Sequence, residues 1–125
     1  ERVRVTHAFA VLDGGEIINP DGAINQTEGG MLQALSWTLH EAIKFDGPAV
    51  ATDAWLDYPI LSFSDVPAVE VRLMAQPDAP PLGCAEAAQG PMAAAIGNAV
   101  FNAIGVHVCE MPITHDALVK AALGE

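Results

Sequence analysis

Ile24-Asn25-Gln26-Thr27-Glu28-Gly29-Gly30-Met31-Leu32-Gln33-Ala34-Leu35-Ser36-Trp37-Thr38-Leu39-His40-Glu41-Ala42-Ile43 is the stretch that sets the architecture. Glu28, Met31, Leu32, Leu35, Leu39 and Ile43 recur at steps of three and four, the spacing of one face of an amphipathic helix. Gly29-Gly30 falls in the first turns, where each glycine costs up to about 1 kcal/mol relative to alanine. Such a pair points to close backbone approach; the alternative is a helix that starts later, near Met31. Gly47-Pro48 closes the segment.

Upstream the period is two. Val3, Val5, His7, Phe9 and Val11 alternate with Arg2, Arg4, Thr6 and Ala8, which predicts a strand over 2–12 with one apolar face. Asp13-Gly14-Gly15-Glu16 reads as a tight turn, Ile17-Ile18 as a short second strand and Asn19-Pro20-Asp21-Gly22 as another turn. Downstream, 49–65 reads as loop, since Pro59 and Pro67 oppose long central strands. Val69, Val71 and Leu73 make a third strand with Glu70 and Arg72 on its wet face. Pro77, Pro80 and Pro81 stiffen a connector. Met92, Ile96, Val100 and Ile104 repeat every four residues in an Ala-rich helix over Ala87–Ile104, with Gly105 as its stop. Val106–Cys109 is a short strand or link, and Thr114 caps a last helix over Asp116–Leu123. The expectation is one α+β domain spanning 1–125, with two layers: a small mixed or antiparallel sheet and helices packed on one side.

Composition narrows the function. Apolar residues make up 51% and charged residues only 17% of 125. Either part of the surface is covered by something else, or alanine inflates the apolar count. Sixteen acids against five bases give a net charge of −11, which argues against nucleic acid and against an anionic membrane surface. No apolar run spans a bilayer and no signal-peptide pattern opens the chain, so compartment is undetermined. Cys84 and Cys109 read as two buried thiols or a pair. His107-x-Cys109 is half a metal motif without a second half, so no metal ligands are assigned. Trp37, Trp55 and Phe101 are expected in the core. No nucleophile elbow, P-loop or dinucleotide fingerprint is present.

Two stretches carry candidate chemistry. In Pro80-Pro81-Leu82-Gly83-Cys84-Ala85-Glu86 a lone carboxylate follows a glycine turn and precedes a helix. Glu86 is there either a solvated first-turn acid or a base aimed into a pocket. In Asn25–Gly30 a helix start offers N–H groups and room for an anion, or ordinary capping by Asn25 or Thr27.

The ordered set His7–Gly15, Ile18–Gly22, Gln26–Leu35, Gly83–Glu86, Ala94–Val100 and Met111–Thr114 resembles the C-terminal part of the large, molybdopterin-binding subunit of the xanthine dehydrogenase/aldehyde oxidase family, and within it the isoquinoline and nicotinate dehydrogenase type. The resemblance implies an oxidoreductase that hydroxylates an aldehyde or N-heterocycle carbon with oxygen from water. It implies Glu86 as general base, and Gln26, Glu28, Gly29, Gly30, Gly83, Cys84 and Ala85 against the molybdenum cofactor, with the cytosine dinucleotide form among its alternatives. Its partners would be the rest of the subunit, an iron–sulfur subunit or domain, and a small-molecule substrate. The family's third residue in the glycine–glutamate element is Gly where this chain has Ala85, and Ala34 also departs; both bear on cofactor fit. The chain is short for the family, so it is expected to be inactive alone and to lack cofactor alone. A non-catalytic assembly module of the same fold is the rival reading.

Overall fold

The structure, a computed structural model, describes residues 2–124. Strand β1 (His7–Leu12) leads into helix α1 (Pro20–Leu39); a two-residue hairpin follows, β2 (Phe45–Asp46) and β3 (Ala49–Val50). Two single 3-10 turns precede strand β4 (Ala68–Leu73); helices α2 (Gln89–Ile104) and α3 (His115–Leu123) complete the chain. β1 and β4 pair in parallel from His7↔Ala68 to Leu12↔Leu73, with α1 in the crossover between them. The fold is α+β with helices packed on a small sheet, as expected. The main sheet is parallel because a long crossover, not a hairpin, joins its strands.

The core lies where α1 meets α2 and β1. Met31, Ala34, Leu35 and Leu39 from α1 pack with Met92, Ile96 and Val100 from α2, and with Ala8 and Ile113. Met92, Ile96 and Val100 point inward as the four-residue spacing predicts, whereas Ile104, the fourth of that repeat, is 56% exposed at the helix end.

Several boundaries differ for identifiable reasons. α1 begins four residues early. Asn19 is its N-cap, its side chain accepting from Gly22 N–H at 3.0 Å, and Pro20 opens the first turn. Asn-Pro-Asp-Gly suits a turn, but Pro at the first helical position after a capping Asn suits a helix equally. Gly29-Gly30 therefore sits at mid-helix. Ile17-Ile18 forms no strand, and Val106–Cys109 is a link.

In β1 the buried positions are Ala8 and Leu12, while Phe9 and Val11 are each 69% exposed. The expected apolar face is thus the outer one. Val3 and Val5 still pack against the core, so the alternation changes phase between Val5 and Ala8. Trp55 and Phe101 are exposed rather than core, Phe101 stacking on His107 at 3.9 Å between ring centroids. Trp37 is partly buried against the core. Cys84 and Cys109 are free thiols, half-buried and exposed.

Thr114 caps α3, its Oγ1 accepting from Ala117 N–H at 3.1 Å. Thr114→Ala is expected to lower stability by about 1 kcal/mol, read as a shifted denaturant midpoint.

Candidate cofactor-facing site

The turn after β1 positions the Gly83–Glu86 segment. Gly15 adopts φ +68°, a conformation that side chains disfavour. A Cβ on Gly15 would collide with the Pro80 carbonyl oxygen. The close approach is locked by Leu82 N–H donating to Gly14 O at 2.8 Å and Glu16 N–H donating to Ala79 O at 3.1 Å. Asp13 braces the turn by accepting from Gly15 N–H at 3.1 Å. The proline connector is thus held against the end of β1, and the chain leaves it directly into Gly83. Gly15 is a positioning residue that sequence reasoning passed over, although the Gly-Gly after an apolar strand was its signal. Gly15→Ala is expected to cost about 1–3 kcal/mol, because strained φ and a backbone clash coincide; thermal unfolding reads it.

The second tie comes from α1. Gln26, exposed on that helix, donates from Nε2 to the Ala85 carbonyl oxygen at 2.5 Å. Further along the helix, Gln89 Nε2 donates to Gln33 Oε1 at 2.9 Å. Gly30 is buried between these contacts, and a Cβ there would sit 3.4 Å from Gln89 Cγ. That is ordinary van der Waals contact, so the packing of α1 on α2 leaves room for a methyl group at this position. Gly29 is exposed, with nothing within 4 Å of a Cβ built on it, and the same open space surrounds Gly83. Gly29→Ala should then stabilise the helix by about 0.8–1 kcal/mol, a gain measurable by thermal unfolding.

Glu28 is half-buried on α1, whereas Gly83, Ala85 and Glu86 are exposed and Cys84 is half-buried. Glu86 stands in the turn before α2, its backbone carbonyl accepting from Gln89 N–H at 3.4 Å. Its neighbours Ala87 and Ala88 line an apolar groove of about 260 Å³ with Leu12, Thr27, Met31 and Met92; Glu86 is outside that lining. The structure thus brings Gln26 and Gly83–Glu86 together on an open surface.

Two perturbed groups lie elsewhere in the sequence. The Ser62 hydroxyl donates to Asp65 and holds its carboxyl below the usual range, helped by Arg2. Tyr58 donates to Glu41 Oε2 at 2.8 Å, which pushes the phenol up. Among the described residues no group of three His, Cys, Asp or Glu side chains is placed to hold a metal ion.

Against known families, residues 1–67 match the molybdopterin cofactor-binding domain, more than half of the 125 residues. The chain belongs to that family. Among its relatives is a nicotinate dehydrogenase chain of Pseudomonas putida, 41% identical over 98% of this chain and 10% of the relative. The beta chain of isoquinoline 1-oxidoreductase from Brevundimonas diminuta is 32% identical over 87% of this chain and 14% of its own length. Quinoline 2-oxidoreductase from Pseudomonas putida 86 superposes with a TM-score of 0.82 at 31% identity, over 96% of this chain and 16% of that one. This member of the molybdopterin cofactor-binding domain family therefore spans a tenth to a sixth of the length of these relatives.

One expectation is corrected here. The resemblance read from the motifs made the chain the C-terminal part of its subunit; its extent over nearly the whole chain agrees with the 98% covered by the nicotinate dehydrogenase relative. The family match instead occupies the N-terminal region of this chain, residues 1–67. It takes in Gln26–Gly30 but not Gly83–Glu86.

Proposed function

We propose that this chain forms one wall of the cofactor site of a molybdenum hydroxylase acting on an aldehyde or N-heterocycle carbon. In the net reaction a substrate C–H and water become C–OH, releasing two electrons and two protons. The observation that carries this reading is the Gln26–Ala85 hydrogen bond, which joins the two segments singled out for cofactor contact. The site suits a polar, planar group: Gly29 and Gly83 face open space, and the Gln26 amide is held on the Ala85 carbonyl, next in sequence to the half-buried Cys84.

When bound, the molybdenum cofactor supplies the oxygen-transfer and redox chemistry, and the protein supplies position and charge. Gln26 orients the loop and offers hydrogen bonds, Gly29 and Gly83 permit close approach, and Glu28, Gly30, Cys84 and Ala85 shape the surrounding wall. Glu86 accepts, on a carboxylate oxygen, the proton released as water is activated. Electrons leave to an iron–sulfur subunit or domain. The cytosine dinucleotide form of the cofactor, and the inactivity and cofactor-free state of this chain alone, belong to the same proposal.

The test is the metal. The assembled enzyme, purified with the rest of its subunit, is expected to contain molybdenum and pterin. Gln26→Ala should lower cofactor retention by roughly tenfold, the equivalent of one well-formed hydrogen bond. An assembled enzyme free of molybdenum would sink this reading. It would leave the rival, a non-catalytic assembly module, which the exposure of Trp55 (91%), Leu56 (95%) and Phe63 (100%) favours.

A further inference from the structure

The register of β1 on β4 decides where each β1 backbone group points. Ala68 N–H donates to Thr6 O at 3.0 Å, and Met74 N–H donates to Leu12 O at 2.9 Å. Backbone groups alternate sides along a strand, so Thr6, Ala8, Ala10 and Leu12 address β4. His7, Phe9 and Val11 present their N–H and C=O groups on the opposite edge. Among the described residues the sheet has only these two strands, so that edge pairs with nothing in it.

Helix α2 lies beside this edge in an unusual way. It packs on α1, and its backbone approaches neither β1 nor β4. Packed helices stand about 8–10 Å apart and neighbouring strands about 4.8 Å. Because α1 sits mainly over β4, a helix one place along from it overhangs about one strand position beyond β1. What lies beneath α2 is a groove. Its first part, about 260 Å³, is lined by the unbroken run Phe9–Leu12 and faced by Pro91, Met92 and Ala95. Its second part, about 450 Å³, is lined by the unbroken run Arg2–His7 and faced by Ile96, Ala99 and Ala103. Phe9–Leu12 belongs to the edge of β1, Arg2–Thr6 is the chain leading into it, and the facing wall is apolar.

We propose that this groove takes an extended β-strand, from the part of the same subunit outside residues 1–125, added to the free edge of β1 beneath α2. The choice of occupant rests on the molybdopterin-subunit reading above. A row of unpaired N–H and C=O groups is satisfied by another backbone, not by a helix or an isolated side chain. Most of a longer subunit is available to supply it, since this fold fills only 16% of the quinoline oxidoreductase chain it superposes on. A second copy is disfavoured, because two chains of charge −11 would be brought edge to edge. At about 3.3 Å per residue, pairing along the groove takes a strand of roughly five to ten residues, with apolar side chains toward α2 at alternate positions.

Hydrogen exchange on the assembled enzyme tests this. The amides of His7, Phe9 and Val11 are expected to exchange as slowly as those of Ala8 and Ala10. Exchange at the rate of the exposed 53–57 loop, with Ala8 and Ala10 still protected, would overturn the proposal. A second arm uses Phe9→Pro, which deletes an outward N–H and leaves the β4 side of the ladder intact. The yield of assembled enzyme should fall by about tenfold or more, and undiminished assembly would count against the strand. Protection that appears only as two copies of this chain associate would assign the groove to a dimer and also overturn it. Molybdenum content of the same samples separates the two readings. Metal bound with His7, Phe9 and Val11 unprotected defeats the added strand alone; protection without metal defeats the cofactor role alone.

Discussion

Glu86→Gln is expected to slow turnover of the assembled enzyme by about a hundredfold to ten-thousandfold while molybdenum stays bound. That is the range attributable to one positioned general base. The substitution is nearly isosteric and removes the negative charge and with it the capacity to take a proton. The local structure does not depend on the carboxylate. Gln26 bonds the backbone oxygen of Ala85, and Gln89 bonds the backbone oxygen of Glu86. Glu86 is exposed here, so thermal unfolding should be unchanged. Steady-state turnover, metal content and unfolding temperature together isolate the effect. Near-normal turnover would remove Glu86 from the chemistry, whatever the cofactor content.

The second large effect is on stability. Leu35 is 1% exposed at the centre of the core shared by α1, α2 and β1. Leu35→Ala removes buried apolar atoms and leaves a cavity, costing about 2–5 kcal/mol. For a domain of this size that lowers the unfolding midpoint by on the order of 10 °C. Gly29→Ala, one helical face away, is expected to move the same midpoint upward. The pair separates the two sides of α1: one holds the fold together, and the other keeps a glycine at a cost to the helix. A Leu35→Ala midpoint within a degree or two of the wild type would show that this contact between helices is not where the stability resides.

The parts of the fold legible in the sequence were those fixed by period. The four-residue repeat of Met92, Ile96 and Val100 gave α2 its buried stripe, and Thr114 marked the start of α3 correctly. Illegible were features that depend on distant partners. The alternation in 2–12 announced a strand without saying which face is inward, because both faces of 7–11 carry apolar residues. The choice fell to Ala8 and Leu12, whose small and medium side chains fit beneath α1. Parallel pairing could not be read either, since the partner, Ala68–Leu73, lies beyond a helix and a hairpin. The motifs singled out Gln26 and Gly83–Glu86 as candidates, but only coordinates join them through Ala85. The role of Gly15 depended on Pro80, a residue far along the chain.

The crossover pairing has a consequence for dissecting the molecule. The family match ends at residue 67, immediately before β4 begins. A polypeptide cut at that boundary would retain β1 and α1 yet possess no inter-strand ladder between them and the rest, because the only neighbour of β1 among the described residues starts at Ala68. The segment that the family model covers therefore lacks the strand partner of β1, whereas the likeness to the nicotinate dehydrogenase relative runs over 98% of the chain. Any excision, fusion or transplantation of this module has to carry the chain through Leu73 at least, and through α2 to close the core.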